Sequence, residues 1–460
     1  MKRINKFFSM LTLLLLLSCS AWPPVLAAEV EAISLAEALQ MALANPYNLG
    51  ASSATVAVAE AQKKKAEAGR WPSLGLSTNY TRIGPHTMAY TMFVPDPSAP
   101  DGYRIVSLPI EAGATDTYST SLNLQLPVYM GGKLASATEM ARLGLHTAEI
   151  DYQAEYQDLI YRVIQAYIGV LKADGMVELS KGQIKLLKEH QKLIETNLSL
   201  GYATKSDLME TKIRLTQAEL GAVKAEHGKK LALENLCNLL GIAPQEVVLT
   251  SKPVLAERAH LPELEEVLRR AEEGRPELKK LETAVRIAEE SLQLSKKYWH
   301  PNLVMIGSYG TQNQDRPTFE DAVWSFTLNL DWKFFDAGAG KAGIREAEAN
   351  LQTLKFQLAQ VRDLLKLEVR QKYLAVTEAA RVLALTELSQ QQAAENYEIL
   401  KVKFELGAAT NLELLSAQNT LNMTLNDYLY AEYDYYLAVS DLYKAMGETE
   451  KFMLEVSEDA

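Results

Sequence analysis

Residues 198–215, "LSLGYATKSDLMETKIRL", return as residues 404–421, "FELGAATNLELLSAQNTL", 206 positions later. Each copy sets a glycine, Gly201 or Gly407, between two long runs of helical periodicity. Glycine tolerates the left-handed conformation that ends a helix, and Asp207 or Asn411 can help the returning helix begin. The same offset carries Gly132 onto Gly338, Val163 onto Val369, Tyr167 onto Tyr373, Thr204 onto Thr410 and Gly241 onto Gly447 without a gap. Upstream the offset is 229, placing Leu35 on Leu264 and Pro72 on Pro301, so the first half holds 23 extra residues, within 84–119. Each half therefore reads helix, strand, loop, strand, long helix, glycine turn, helix, which is a duplicated architecture. The expected boundaries are a first repeat over 28–241, a linker and start of the second repeat over 242–275, a second repeat over 276–447 and a tail over 448–460.

The long runs set the scale. No proline falls between Gly131 and Gly201, and small or apolar residues recur every seven at Leu159, Ala166, Ala173, Ser180, Leu187 and Ile194. Val163, Val170, Val177, Ile184 and Leu198 interleave with them, which makes a coiled-coil seam. A helix of about 70 residues reaches roughly 105 Å at its standard rise. A compact globule has no use for that length, whereas a rod or a tube does.

With 460 residues, 48% hydrophobic and 23% charged, the chain has the composition of a folded protein. Its first 27 residues combine Lys2, Arg3 and Lys6 with an apolar run and small residues before Ala28, the pattern of a secretory signal. "LLSC", ending at Cys19, is an imperfect lipoprotein box and makes Cys19 a candidate lipidation site. Loss of the three basic residues takes the formal charge from -11 to -14. Phosphate binding needs a clustered basic face, so a nucleic-acid partner is not expected. After cleavage only Cys237 remains, which excludes an intrachain disulfide. The mature chain has no apolar stretch long enough for a membrane helix, so the exported protein is soluble, lipid-anchored or a β-barrel.

The strands bear on that choice. In "TYSTSLNLQLPVY" Leu122, Leu124, Leu126 and Val128 alternate with polar residues, and in "VWSFTLNLDWKFF" Trp324, Phe326, Leu328, Leu330, Trp332 and Phe334 do likewise. Strands are expected at about 73–84, 117–129, 302–313 and 322–335, with the first and third following Pro72 and Pro301. Segments of about ten residues with one apolar face and aromatic ends match transmembrane β-strands. An antiparallel sheet with one face in water gives the same alternation. Export without a membrane helix, and tryptophans at 71, 299, 324 and 332, favour the membrane, with Leu122, Leu124, Leu126, Val128, Trp324, Phe326, Leu328 and Leu330 facing lipid. Four strands cannot close a barrel, and open edges in lipid leave backbone groups unpaired, so a membrane sheet requires several copies.

Taken in order, "SLAEALQMALANPY", "AEAQKKKAEAGRWPSLGLSTNYT", "LPVYMGGK", "LENLCNLLGI", "WKFFDAGAGK" and the two glycine turns resemble the outer membrane efflux protein family, the TolC-like channels, over nearly the whole mature chain. The resemblance implies a mainly α fold with β: a homotrimer whose chains each give four strands to a 12-stranded outer-membrane barrel, continued by a long α-helical barrel in the periplasm of a Gram-negative cell. Strand count alone also allows a dimer. Residues 73–129 and 302–335 would form the barrel, the 23 extra residues would lie in the first external loop, and segments near 29–45, 247–275 and 448–460 would form an equatorial collar. The repeated turns would be the periplasmic entrance and the dock for the adaptor that joins the duct to an inner-membrane transporter. Gly201, Ala203, Thr204, Asp207, Leu208, Gly407, Ala409, Thr410, Glu413 and Leu414 would carry that role. Closed-tip members hold two acids three residues apart in the second repeat; here Glu413 fits the first place and Ser416 stands in the second, whereas Asp207 and Glu210 have the spacing in the first repeat. The bland reading of the same residues is a helical hairpin turn with a solvated face.

The six histidines lack metal-ligand spacing, and neither a phosphate loop nor a nucleophile elbow occurs. No catalytic site and no cofactor are expected. A soluble periplasmic coiled-coil scaffold, or the adaptor of the same pump, is the alternative. An adaptor would carry one helical hairpin where this chain carries two.

Overall fold

A computed structural model describes residues 32–243, 248–249 and 262–452. In chain order the first half holds β1 (Ala32–Ile33), α1 (Leu35–Ala44), α2 (Pro46–Ala68), β2 (Ser73–Ile83), β3 (His86–Pro95), β4 (Tyr103–Ala112), β5 (Thr115–Tyr129), α3 (Lys133–Ser199) and α4 (Lys205–Leu240). The rest holds β6 (Val248–Leu249), α5 (Leu264–Gly274), α6 (Pro276–Lys296), β7 (Asn302–Asn313), β8 (Val323–Asp331), α7 (Ala339–Glu405) and α8 (Asn411–Met446). α3 and α7 are both 67 residues long, and α4 and α8 are both 36, each pair displaced by 206 positions. The signal segment with Cys19, and most of the collar segments within 247–261 and 453–460, lie outside the described residues.

Residues 52–153 and 276–363 form one compact unit. Its sheet is antiparallel throughout, in the order β2-β5-β7-β8. The strand period of two sorts most side chains by face, with Val304 and Ile306 of β7 falling among the polar residues. One face carries Leu74 and Leu76 beside Leu124 and Leu122, then Met305 and Tyr309 beside Leu328 and Trp324. The other carries Ser77 beside Ser121, Asn123 beside Ser308, and Ser308 beside Ser325. On that polar face Ser77 Oγ and Ser121 Oγ lie 2.9 Å apart, and Asn123 Nδ2 donates to Ser121 Oγ at 3.0 Å. Val128 falls where the register steps between Pro127 and Tyr129, so it sits at a bulge in the leucine row. The last strand ends at Asp331, earlier than expected, and Trp332 and Phe334 lie beyond it. There the Trp332 indole N–H donates to the Trp299 carbonyl at 2.9 Å, and Asp336 accepts from Gly338 and Gly340, turning the chain into α7. Below the sheet, Val285 and Leu292 of α6 pack on Ala347 and Leu351 of α7.

The 23 extra residues, expected as a loop, are a β-hairpin. Among the described residues β3 pairs only with β4. Met88, Tyr90 and Met92 alternate with smaller residues, a strand signal that the surrounding prolines and glycines obscure.

Residues 1–51, 154–275 and 364–460 form the second unit, where described. α3 is buried on several sides at Leu159, Ile160, Val163, Ile164, Tyr167 and Ile168, and narrows to a single stripe at Val177, Leu187 and Ile194 toward its C-terminal end. α8 answers with Tyr433, Val439, Leu442 and Met446. A polar network fixes their angular setting: the Tyr161 hydroxyl and the Lys372 ammonium both donate to the Asp441 carboxylate at 2.5 Å, tying α3, α7 and α8 together. Burial and the neighbouring Asp441 push the Tyr161 phenol well above its ordinary range, so it stays a donor. Ser34 starts α1 through a reciprocal cap with Glu37, a device worth about 1 kcal/mol.

Two apolar stripes remain uncovered in this unit. Ile213, Leu220, Val223 and Leu231 line one side of α4, and Leu364, Leu367, Leu374, Leu385, Leu388, Ile399 and Val402 line α7. No described helix is long and apolar enough to cross a membrane.

Candidate functional site

The repeated sentence is two capping motifs written back to back. At the end of α3, Gly201 adopts φ 79°, its N–H donates to the Leu198 carbonyl at 3.2 Å, and the next N–H, of Tyr202, reaches the Asn197 carbonyl at 2.7 Å. At the end of α7, Gly407 adopts φ 74°, donates to Phe404 at 3.0 Å, and the Ala408 N–H reaches Lys403 at 2.7 Å. These paired bonds are the Schellman ending, which satisfies the last helical carbonyls and requires the left-handed residue that glycine supplies. Three residues later the return helix opens. Thr204 Oγ1 accepts from the Asp207 N–H at 3.2 Å while the Asp207 carboxylate accepts from the Thr204 N–H at 2.9 Å. Thr410 and Glu413 repeat this at 3.2 and 2.7 Å. Thr204 and Thr410, not Asn411, are therefore the caps, and Asp207 helps its helix begin as the reciprocal partner.

This bonding shows what Asp207 and Glu413 contact in the single chain. The Thr204 hydroxyl and N–H hold Asp207 below the usual carboxylate range, and the Thr410 N–H and hydroxyl do the same for Glu413. Both carboxylates serve as the reciprocal caps of their helices. Glu210 is half-buried one turn further on.

Between the two turns lies a cleft of ≈ 650 Å³, bounded among others by Asn197, Tyr202, Ala203 and Asp207 on one side and Glu405, Gly407, Ala409, Thr410 and Asn411 on the other. It brings together Ala203, Asp207, Gly407, Ala409 and Thr410 of the expected set. Leu208 and Leu414 are buried beneath the turns, where Leu414 packs with Ala393, Tyr397, Ala417 and Leu421. They seat the turns and offer no free surface in the single chain. The exposed apolar apices are residues that the repeat pattern did not single out: Leu200, Tyr202, Leu406 and Leu412.

Asn411 is one of the positions at which the two copies differ. Asn411 stands where the first copy has Lys205, and it is buried. Its Oδ1 accepts from His190 Nε2–H at 2.7 Å, and its Nδ2 donates to the Asp207 carbonyl at 3.5 Å. The His190 ring lies 5.5 Å from that of Phe404. One buried pair thus joins α3, the start of α4, the end of α7 and the start of α8. Burial pushes the imidazole below its ordinary pKa, and the Asn411 bond offsets this in part. A folded-state value below the unfolded one gives a contribution that is present above about pH 6.5 and lost as pH falls. Hydrogen exchange should therefore show weaker protection of the Asn411–Leu415 amides at pH 5 than at pH 7, after correction for intrinsic rates. His190→Gln should flatten that dependence; an unchanged pH profile in the variant would remove His190 as its cause.

Among the described residues no group of three or more His, Cys, Asp or Glu is arranged to hold a metal ion. What the geometry offers at the turns is a pair of capped helix ends that border one cleft. The model of the outer membrane efflux protein family matches residues 38–242 and 267–448, one span for each half of the repeat. The chain belongs to the outer membrane efflux protein family. It is 26% identical over 357 residues to the alkaline protease secretion protein AprF of Pseudomonas aeruginosa, spanning 74% of this chain and 72% of that one. It is 22% identical to the pyoverdine export outer membrane protein OpmQ of the same species, spanning 89% and 84%. The fold is shared with the CmeC outer membrane channel of Campylobacter jejuni, at a TM-score of 0.74 and 17% identity over 95% and 94% of the two chains. As an efflux-family member the protein is placed in the outer membrane of a Gram-negative cell, with a periplasmic extension, and with channels rather than scaffolds or adaptors.

Proposed function

We propose that the protein is the outer-membrane exit duct of a tripartite efflux pump or type I secretion system, passively conducting what an inner-membrane transporter and a periplasmic adaptor deliver. The observation that carries this reading is a four-stranded sheet whose outer strands β2 and β8 each pair on one side only among the described residues, with one face rich in exposed apolar side chains and the other mostly of Ser, Thr, Asn and Gln. Trp324 is 75% and Phe326 60% exposed in the single chain. Lipid against that face and further copies against both edges remove both costs. Three copies give twelve strands, the number the family resemblance implies, with Leu122, Leu124, Leu126, Trp324, Phe326, Leu328 and Leu330 facing lipid. The uncovered stripes on α4 and α7 supply the matching helical interface, each covering the other's apolar residues between neighbouring copies.

In this reading the turns at Gly201 and Gly407 are the periplasmic entrance and the adaptor's dock. Opening is an iris-like shift of the helices near them. Asp207 and Glu405, both bordering the cleft, give the entrance a mild preference for cations. Cargo is chosen by the transporter, in keeping with one relative named for protease secretion and another for pyoverdine export. Purified protein in a planar bilayer should give discrete conductance steps with a reversal potential shifted toward cations. Protein that inserts without any steps would contradict the duct.

A further inference from the structure

A second cavity, smaller than the cleft at the turns, is shared by the two helical hairpins α3–α4 and α7–α8. It measures ≈ 140 Å³ and lies where α3, α4 and α8 meet. Arg214, Gln217 and Gly221 line it from α4, and Gln418, Asn419 and Asn422 line it from α8. Leu187, Ala218 and Leu415, a buried cluster drawn from the three helices, form its floor. Arg214 lies nine residues beyond the start of α4 and Gln418 seven beyond the start of α8, roughly 10–14 Å from the turns at the rise of a helix.

Two polar groups of this cavity are not used within the chain. Gln418 is 3% exposed, and its Nε2 is a buried donor without a partner among the described residues. Burial of a donor without an acceptor is costly and therefore rare. Arg214 makes neither an ion pair nor a hydrogen bond among the described residues. No acidic residue lines the cavity. Glu210, one turn toward the tip, forms no ion pair with Arg214, and Glu219 is engaged by Lys188 at 3.7 Å. Gly221 stands in a helix interior, where glycine is unfavourable, although a Cβ there would meet nothing within 4 Å. The 206-residue offset sets Thr420 on Arg214 and Lys212 on Gln418, so the arrangement occurs once and is not a by-product of the duplication.

We infer that this cavity binds a short aliphatic carboxylate, which bridges the two hairpins and holds them together near the tip. A carboxylate presents two coplanar acceptor oxygens that match the fork of a guanidinium, and its remaining lone pairs accept from Gln418 Nε2 and the neighbouring carboxamides. One cationic side chain balances one negative charge. The floor of Leu187, Ala218 and Leu415 favours a short apolar body, and the volume of ≈ 140 Å³ excludes a long one. A ligand that contacts both hairpins binds the arrangement in which they are apposed and opposes their separation. That consequence for opening rests on the reading of the turns as the entrance of a duct, whereas the site itself does not.

The test uses the full chain in detergent, with butyrate as the probe, butyramide as its uncharged isostere and sodium chloride to hold the ionic strength constant. Hydrogen exchange of the Leu415–Asn422 amides should slow saturably with butyrate and stay unchanged with butyramide. Arg214→Gln should raise the half-saturating concentration about tenfold or more, and Gln418→Leu about fivefold, as the loss of a charged and of a neutral hydrogen bond requires. Equal protection by both compounds, or by butyrate in Arg214→Gln as in the parent chain, would overturn the inference. So would the absence of protection, which leaves the cavity to water. In a planar bilayer, butyrate should lower the open fraction of the parent channel and spare that of Arg214→Gln. Protection without any change in the open fraction would overturn the bridging role. Conductance steps and exchange that both ignore butyrate would overturn the site and spare the duct. Saturable protection of a protein that gives no steps would uphold the site and remove the duct.

Discussion

Leu124→Arg is expected to remove the protein from the outer membrane, whereas Asn123→Arg, one position away, should leave it there. Leu124 lies in β5, the strand flanked by β2 and β7, opposite Leu74 on one side and Gly307 on the other. An arginine on a lipid-facing strand costs about 2–4 kcal/mol near the bilayer midplane, and in an oligomer every copy bears that cost. Gly307 has no side chain to shelter the new charge. Asn123 points to the face of Ser77, Ser121 and Ser308, where a cation meets water and loses only two side-chain hydrogen bonds, each worth roughly 1 kcal/mol. Fractionation of cells expressing the two variants should give opposite outcomes. Equal recovery in the outer membrane would mean that the leucine face does not meet lipid, and a water-facing sheet would then explain the alternation.

Linking the paired turns should abolish export while leaving assembly intact. Ala203 and Ala409 border the same cleft from opposite sides, so a reducible bifunctional reagent across Ala203→Cys and Ala409→Cys would tie the two hairpins together. The four capping motifs around these positions are satisfied within each turn, so the link restrains movement between turns without unfolding either one. An iris opening requires that movement. Export should stop after verified linking and return on reduction, with the amount of membrane-inserted protein constant throughout. Continued export through linked protein would dissociate the turns from gating.

Much of this architecture is legible in the chain because it is periodic. The helices, the glycine turns and the apolar rows of β5 and β8 follow from spacings of seven, 206 and two. The parts that escape are those that spacing does not encode. Pro95, Pro97, Pro100 and Pro109 punctuate residues 86–112 so heavily that a regular hairpin looks like a loop. Asn411 resembles a cap by composition, yet Thr410 holds the extended conformation a cap needs, at φ -85° and ψ 159°, and frees Asn411 for His190. That pair spans 221 positions, and only packing brings it together. Leu208 and Leu414 belong to conspicuous motifs, but their apolar side chains turn inward as burial favours.

The central claim is that one chain supplies part of a closed membrane duct and that copies of it complete the rest. The native mass of protein extracted in detergent from isolated outer membranes tests this most directly. The account predicts a particle of three chains. A monomer recovered from the soluble fraction and absent from that membrane would contradict it.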